Sequence, residues 1–206
     1  MTELDALRER VRGEMSPARY AHTLGVERAV ARMARLYCPD QEQMLRAAAL
    51  LHDITKEQTK EQCAALLAEE GIALRPDEAA TPAIHHAITA PIEIRRHYAA
   101  FASEELLSAV RWHTTGHADM TLTEALLYLA DVIEEGRAYP ACVALREQFF
   151  GAAPEQMERG ERIAHLVRVL QASLVGVRDS ILARGGVVCA DTEAAIASLN
   201  LTKTLL

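Results

Sequence analysis

Aromatic side chains are scarce in this chain, at 4% of 206 residues, and only ten residues are glycine. Runs of β-branched residues are also few, so the apolar half is mostly alanine and leucine, which argues against a sheet and for an all-α fold. No stretch of about 18 uncharged apolar residues exists, which argues against a membrane span. The start, MTELDALRERVRGEM, is charged where a secretory signal would be apolar. A soluble, cytoplasmic protein is the expectation. The four cysteines, Cys38, Cys63, Cys142 and Cys189, include no CxxC pair, so neither a disulfide framework nor a zinc knuckle is indicated. Positive charge is in deficit as well: the net charge is -7 and the pI near 5.6. The chain has no general attraction for nucleic acid or an anionic membrane, and a phosphate-bearing substrate needs local cations.

Against that background one stretch stands out: Ala47 to Lys56, AAALLHDITK. His52 and Asp53 interrupt an apolar run with the pattern of a buried helix. An unpaired carboxylate removed from water costs several kcal/mol or more, so Asp53 must be paired or neutral. A metal ion is one such partner. Adjacent helical residues point about 100° apart, so one ion is reached by both only at a helix end or edge, with the other ligands coming from elsewhere.

The length suits one domain, or one domain with a terminal appendage. Leu4, Leu7 and Val11 form the stripe of a first helix over residues 2–13, closed by Gly13. Ser16 and Pro17 start a helix to about Tyr37 that carries His22. Asp40 with Gln43 reads as the start of the next, ending near His52 and Asp53. Thr59 with Gln62 opens a helix stopping at Gly71, and residues 72–81 form a connection. Thr81 and Pro82 begin a helix with His85 and His86, which Pro91 is expected to kink or divide. Ser103 caps a segment ending in the loop HTTGHADM, and Thr121 with Glu124 caps a helix to about Glu134. Pro140 starts a helix through Phe150, Pro154 opens one to roughly Arg184, and a short helix follows from Thr192. Short capped turns between helices imply a bundle.

Asp131, in ALLYLADVIE, is a second acid where the pattern predicts burial. Either aspartate alone could be a cap or a structural ion pair; two of them, with spare histidines, favour metal. His22, on an apolar-faced helix, taken singly reads more readily as a core or surface histidine than as a ligand. His85 and His86 diverge by about 100°, so one of the two faces inward. His113 opens a Thr-Thr-Gly loop, a usual place for functional groups, and its i, i+4 relation to His117 is interrupted by Gly116. His97 and His165 read as exposed.

The segments RYAHTLGV, ALLHDITKE, AIHHAITA and RWHTTGHADMTLTEALLYLADVIEEGRAYP, within residues 15–145, resemble the HD-domain phosphohydrolases. The resemblance is closest to the YqeK-like branch, the symmetrical bis(5′-nucleosyl)-tetraphosphatases. It implies an HD-domain helical bundle over residues 1–150 with an extension of further helices, residues 151–206, packed on it. It implies that His22, His52, Asp53 and Asp131 hold one metal, and that Asp53 bridges to a second held by His85 and His113. His85 is preferred over His86 because an alanine, Ala90, stands five positions on. Relatives resemble di-iron proteins, and nitrogen and oxygen ligands without thiolate suit iron, manganese or cobalt. Two such ions activate water and clamp a phosphoryl group for in-line attack.

Lys56 and Arg137 are placed to meet phosphate charge or to be solvated surface cations, and the resemblance gives them, with Asp53, catalytic roles. Thr114, Thr115 and Gly116 could offer hydroxyls and backbone N–H groups to phosphate oxygens. The implied activity is symmetrical cleavage of diadenosine tetraphosphate and related dinucleoside polyphosphates to two nucleoside diphosphates, with a homodimer as an option. The rivals are an HD phosphatase acting on nucleoside mono- or triphosphates, and a nucleotide-binding sensor without turnover. Thr89 and Pro91 depart from the family pattern, which bears on the pocket's substrate preference.

Overall fold

In the computed structural model, residues 2–199 are described; the last seven positions of the expected C-terminal extension, 200–206, lie outside them. Local chemistry sets most helix starts. Thr2 and Asp5 exchange side-chain and backbone hydrogen bonds before α1 (Glu3–Arg12), which buries Leu4, Leu7 and Val11. Ser16 Oγ accepts from the Arg19 N–H at 3.2 Å, with proline next, to open α2 (Pro17–Tyr37). The same reciprocal caps, Thr59 with Gln62 and Thr121 with Glu124, start α4 (Lys60–Glu69) and α8 (Leu122–Ile133). Ser103 caps α7 (Glu104–Trp112), and Pro140 begins α9 (Pro140–Gly151).

Three starts differ from expectation, each at a proline. Pro39–Gln41, Pro82–Ile84 and Pro154–Gln156 form 3-10 turns. The α-helices follow them: α3 (Glu42–Leu51) after the first, α6 (His85–His97) after the second, and α10 (Arg159–Ala183) after an extended Met157. Asp40 is therefore inside a turn rather than capping α3. Proline fixes φ but not ψ, so it starts a turn without choosing between i→i+3 and i→i+4 bonding. The connection after Gly71 also contains a one-turn helix, α5 (Pro76–Ala79), and the last helix is α11 (Ala190–Leu199). Pro91 does not divide α6, which runs unbroken past it with Ala87, Ile88, Ala90, Ile92 and Ile94 buried. One backbone bond is lost and the packed face holds the helix together.

α2 lies along α3 and α8 at the centre, with α7 completing the core. Val26, Val30 and Met33 of α2 meet Leu45 and Leu50 of α3 and Leu126 and Leu129 of α8 in one cluster, which also takes Leu166 and Val169 of α10. Each such side chain contributes about 1.5–3 kcal/mol by leaving water. A second cluster joins Tyr128 of α8 to Leu170 and Leu174 of α10 and Ala195 and Ile196 of α11. His165, read as exposed from sequence, is buried: its ring stacks on Phe149 and its Nε2 lies 3.0 Å from the Phe149 carbonyl. That carbonyl is in the last turn of α9 and has no partner within its helix.

Candidate metal centre

Five elements converge on one point. His52 and His113 are the residues at which α3 and α7 end, and Asp131 lies in the last turn of α8. Three helix C-termini, each with partial negative charge, thus meet the second turn of α2, carrying His22, and the first turn of α6. That arrangement favours cations.

Asp53 sits at the middle, its side chain 4% exposed. Its Oδ2 lies 3.4 Å from His52 Nε2 and 3.8 Å from His22 Nε2. Its Oδ1 lies 3.3 Å from His86 Nε2 and 3.8 Å from His113 Nε2. One carboxylate therefore faces two groups of donors, His22 with His52 and His86 with His113, the atoms of each group within 4.8 Å of one another. Asp131 Oδ1 adjoins the first group, 2.9 Å from His22 Nε2 and 3.9 Å from His52 Nε2.

The histidine on α6 that joins this centre is His86, not His85. His85 turns its Nε2 to the Glu78 carbonyl at 2.9 Å, while His86 Nε2 approaches His113 Nε2 at 3.1 Å. The Pro82–Ile84 turn sets the phase of α6 so that His86, Thr89 and Ala90 share the buried face. His117 is also elsewhere, bonded to Glu124 at 3.0 Å and packed on Trp112.

The opposite edges of the rings fix what the inner edges present. His52 Nδ1 is 2.7 Å from the Ala49 carbonyl and His113 Nδ1 is 2.6 Å from the Val110 carbonyl. Carbonyls only accept, so each Nδ1 carries the proton and each Nε2 offers a lone pair to the centre. His22 Nδ1 meets the Glu134 carboxylate at 3.2 Å, with the same consequence. Sequence reasoning passed over Glu134. It is buried, accepts from the Gly136 N–H at 2.6 Å, and reaches His22 only because Gly25 has no side chain in its way.

The Nε2 atoms of His22 and His52 are buried without a hydrogen bond; His22 is near Asp131 but off the hydrogen-bond line. Buried lone pairs of this kind, converging with carboxylates, fit a cation. The donor set is nitrogen and oxygen, and none of the four cysteines takes part.

Electrostatics agree. Burial raises the Asp53 carboxyl, yet the His52, His86 and His113 rings outweigh it and hold Asp53 well below the ordinary carboxylate range. For Asp131, burial is likewise outweighed by the adjoining His22 ring, then by the charges of Arg137 and His52. Burial, then the neighbouring His52, pushes His113 down to about 4, and burial with His113 lowers His86 further than usual. Burial pushes His52 down, but Asp53, Asp131 and the Ala49 carbonyl together outweigh it and leave the ring raised.

Cations rim the centre. Arg137 donates to Asp131 Oδ1 at 2.7 Å, and Lys56 Nζ lies 3.2 Å from His86 Nδ1, its pKa lowered by burial. Arg19, which sequence reasoning missed, donates to Asp53 Oδ2 at 2.5 Å. It stands one turn before His22 on the same face of α2, and that i, i+3 spacing was the available signal.

Of the Thr-Thr-Gly triplet only Thr114 faces the centre, its Oγ1 3.1 Å from His113 Nε2. Thr115 is buried with its hydroxyl on the Gly116 carbonyl, and the Gly116 N–H is spent on the Trp112 carbonyl at 2.9 Å. The Thr115 hydroxyl and the Gly116 N–H are thus spent in closing the turn.

A family model described as HD domain matches residues 19–136, a span holding His22, His52, Asp53, His86, His113 and Asp131. The chain belongs to the HD-domain family. Among proteins similar to this HD domain, the symmetrical bis(5′-nucleosyl)-tetraphosphatase of Halalkalibacterium halodurans is 33% identical over 142 residues, covering 67% of this chain and 72% of the relative. The protein of the same name from Bacillus subtilis is 31% identical over 137 residues, covering 66% and 72%. A crystal structure from Clostridium acetobutylicum, described as a predicted HD superfamily hydrolase involved in NAD metabolism, superposes with a TM-score of 0.82 at 26% identity. That match covers 98% of this chain and 100% of the other, so the helices beyond the HD match belong to the shared fold.

Proposed function

We propose that this HD-domain hydrolase cleaves diadenosine tetraphosphate and related dinucleoside polyphosphates symmetrically, giving two nucleoside diphosphates. The observation that carries the reading is Asp53, one carboxylate facing two histidine pairs inside a rim of Arg19, Lys56 and Arg137. The residues that would hold metal are His22, His52, Asp53 and Asp131 on one side, and Asp53, His86 and His113 on the other. Two bound ions, iron by our choice with manganese or cobalt as alternatives, supply Lewis acidity toward a phosphate oxygen and toward water.

The remaining work belongs to the chain. Arg19, Lys56 and Arg137 neutralise the polyphosphate in a protein whose net charge of -7 would otherwise repel it. Thr114 donates its hydroxyl to a phosphate oxygen. Water adds to an inner phosphorus as the bond from that phosphorus to the central bridging oxygen breaks. One nucleoside diphosphate leaves on the bridging oxygen, its charge met by Lys56 or Arg137, and the other keeps the oxygen from water. Glu134 holds His22 in the tautomer the site needs. The net charge of -7 supports a small-molecule substrate over nucleic acid, and a cytoplasmic location is part of the same proposal.

Product chromatography with the metal-loaded protein tests this. ADP as the sole product of diadenosine tetraphosphate is expected. AMP with ATP, or released orthophosphate, would overturn symmetrical cleavage, and tight binding without turnover would favour a sensor. NAD belongs in the same panel: its cleavage in preference to the tetraphosphate would assign a different dinucleotide substrate.

A further inference from the structure

The HD match ends at residue 136, yet α11 reaches the site-bearing turn from behind. Thr192 is buried and donates its hydroxyl to the Thr115 carbonyl at 3.0 Å. The next residue, Gly116, has φ of +62°, and a side chain there would press on Ala195 of α11. The start of α11 is tied down separately: the Ala190 N–H donates to Asp77 at 2.8 Å, and Arg75 pairs with Asp191. The back of the Thr114–Gly116 turn is thus bonded and packed against a fixed helix. Its front carries Thr114, whose hydroxyl lies 3.1 Å from His113 Nε2 and 3.3 Å from His86 Nε2.

From these contacts we infer that α11 is a working part of the centre, and that Thr192 is a positioning residue holding the turn so that the Thr114 hydroxyl faces the phosphate chain. The inference rests on the phosphohydrolase reading of the site. A buried carbonyl needs a donor. Without the Thr192 hydroxyl that carbonyl loses its donor, the peptide between Thr115 and Gly116 is held on one side by the Gly116 N–H to Trp112, and the turn shifts, taking Thr114 with it through the shared backbone.

The test uses the metal-loaded full chain with Thr192→Val, Thr192→Ala, Thr192→Ser and Thr114→Val. Losing the hydroxyl by either of the first two substitutions is expected to weaken ADP binding about tenfold by calorimetry, the free-energy equivalent of one hydrogen bond to a charged group. Metal content should be unchanged, and Thr192→Ser should restore affinity to within about twofold, a factor small beside that one bond. On a Thr114→Val background, Thr192→Ala should add little, because both changes remove the same contact. The inference is overturned by wild-type affinity in a folded Thr192→Ala protein, by failure of serine to rescue, or by full additivity with Thr114→Val. A readout independent of nucleotide is the ring nitrogen NMR spectrum, in which Thr192→Ala should move the His113 signals and leave those of His22. Unmoved His113 signals would also overturn it. If the wild-type protein does not bind ADP, the functional reading fails, and the His113 spectrum still decides the role of Thr192.

Discussion

Asp53 carries a charge that burial alone would neutralise, and the His52, His86 and His113 rings around it act to keep it ionised. Asp53→Ala is therefore expected to release metal and abolish turnover, whereas Lys56→Ala and Arg19→Ala should keep the metal and slow turnover about 10²-fold, the cost typical of one lost electrostatic contact to the reacting group. Elemental analysis beside steady-state kinetics checks both. Gly25→Ala makes a sharper case: the new methyl would overlap the Glu134 carboxylate and push it from His22. Metal affinity should fall about 10–100-fold, as for other losses of a ligand's supporting partner, measured by competition with a chelator. His52 and Asp53 were legible because polar atoms interrupting an apolar run demand an explanation. Glu134 was not, and Arg19 only through its spacing from His22, since a charged residue reads as solvated until its neighbours are known.

At the scale of elements, the legible features are the local ones. Ser16, Thr59 and Thr121 cap their helices through residues three positions on, so the sequence alone holds the whole interaction. The starts at Pro39, Pro82 and Pro154 could not be read this way, because ψ after each proline is set by what the turn packs against. The choice between His85 and His86 failed for the same reason: it depends on the phase of α6, and the 3-10 turn sets that phase. His165 was misread because its partner, the Phe149 carbonyl, comes from another helix. Replacing it with alanine opens a cavity and strands that carbonyl, so His165→Ala should destabilise the protein by about 2–4 kcal/mol in urea unfolding. A loss under about 0.5 kcal/mol would show that the contact between α9 and α10 contributes nothing beyond ordinary surface packing.

For the molecule as a whole, the all-α bundle was legible from composition, and among the described residues no helix is long and apolar enough to cross a membrane. The buried centre also ties stability to pH. His113 is held at about 4 against an ordinary 6.5, so the unfolded chain binds its proton first as pH falls. Its contribution to stability is present above about pH 6.5 and is lost on the way down to about 4, amounting to about 3 kcal/mol. His86 shifts the same way, His52 the opposite way, and the lowered carboxyls of Asp53 and Asp131 add a further loss at still lower pH. Metal-stripped protein should lose stability from pH 6.5 to 4, and His113→Asn should flatten that slope. A slope unchanged in His113→Asn would remove His113 as its source.

The central claim is that Asp53 joins two metals, one of which depends on His86. Metal content per folded chain, measured on anaerobically purified wild-type, His85→Ala and His86→Ala proteins, tests it most directly. The account predicts two ions in the wild type, two in His85→Ala and one in His86→Ala. One ion in His85→Ala with two kept in His86→Ala, or the same content in all three, would contradict it.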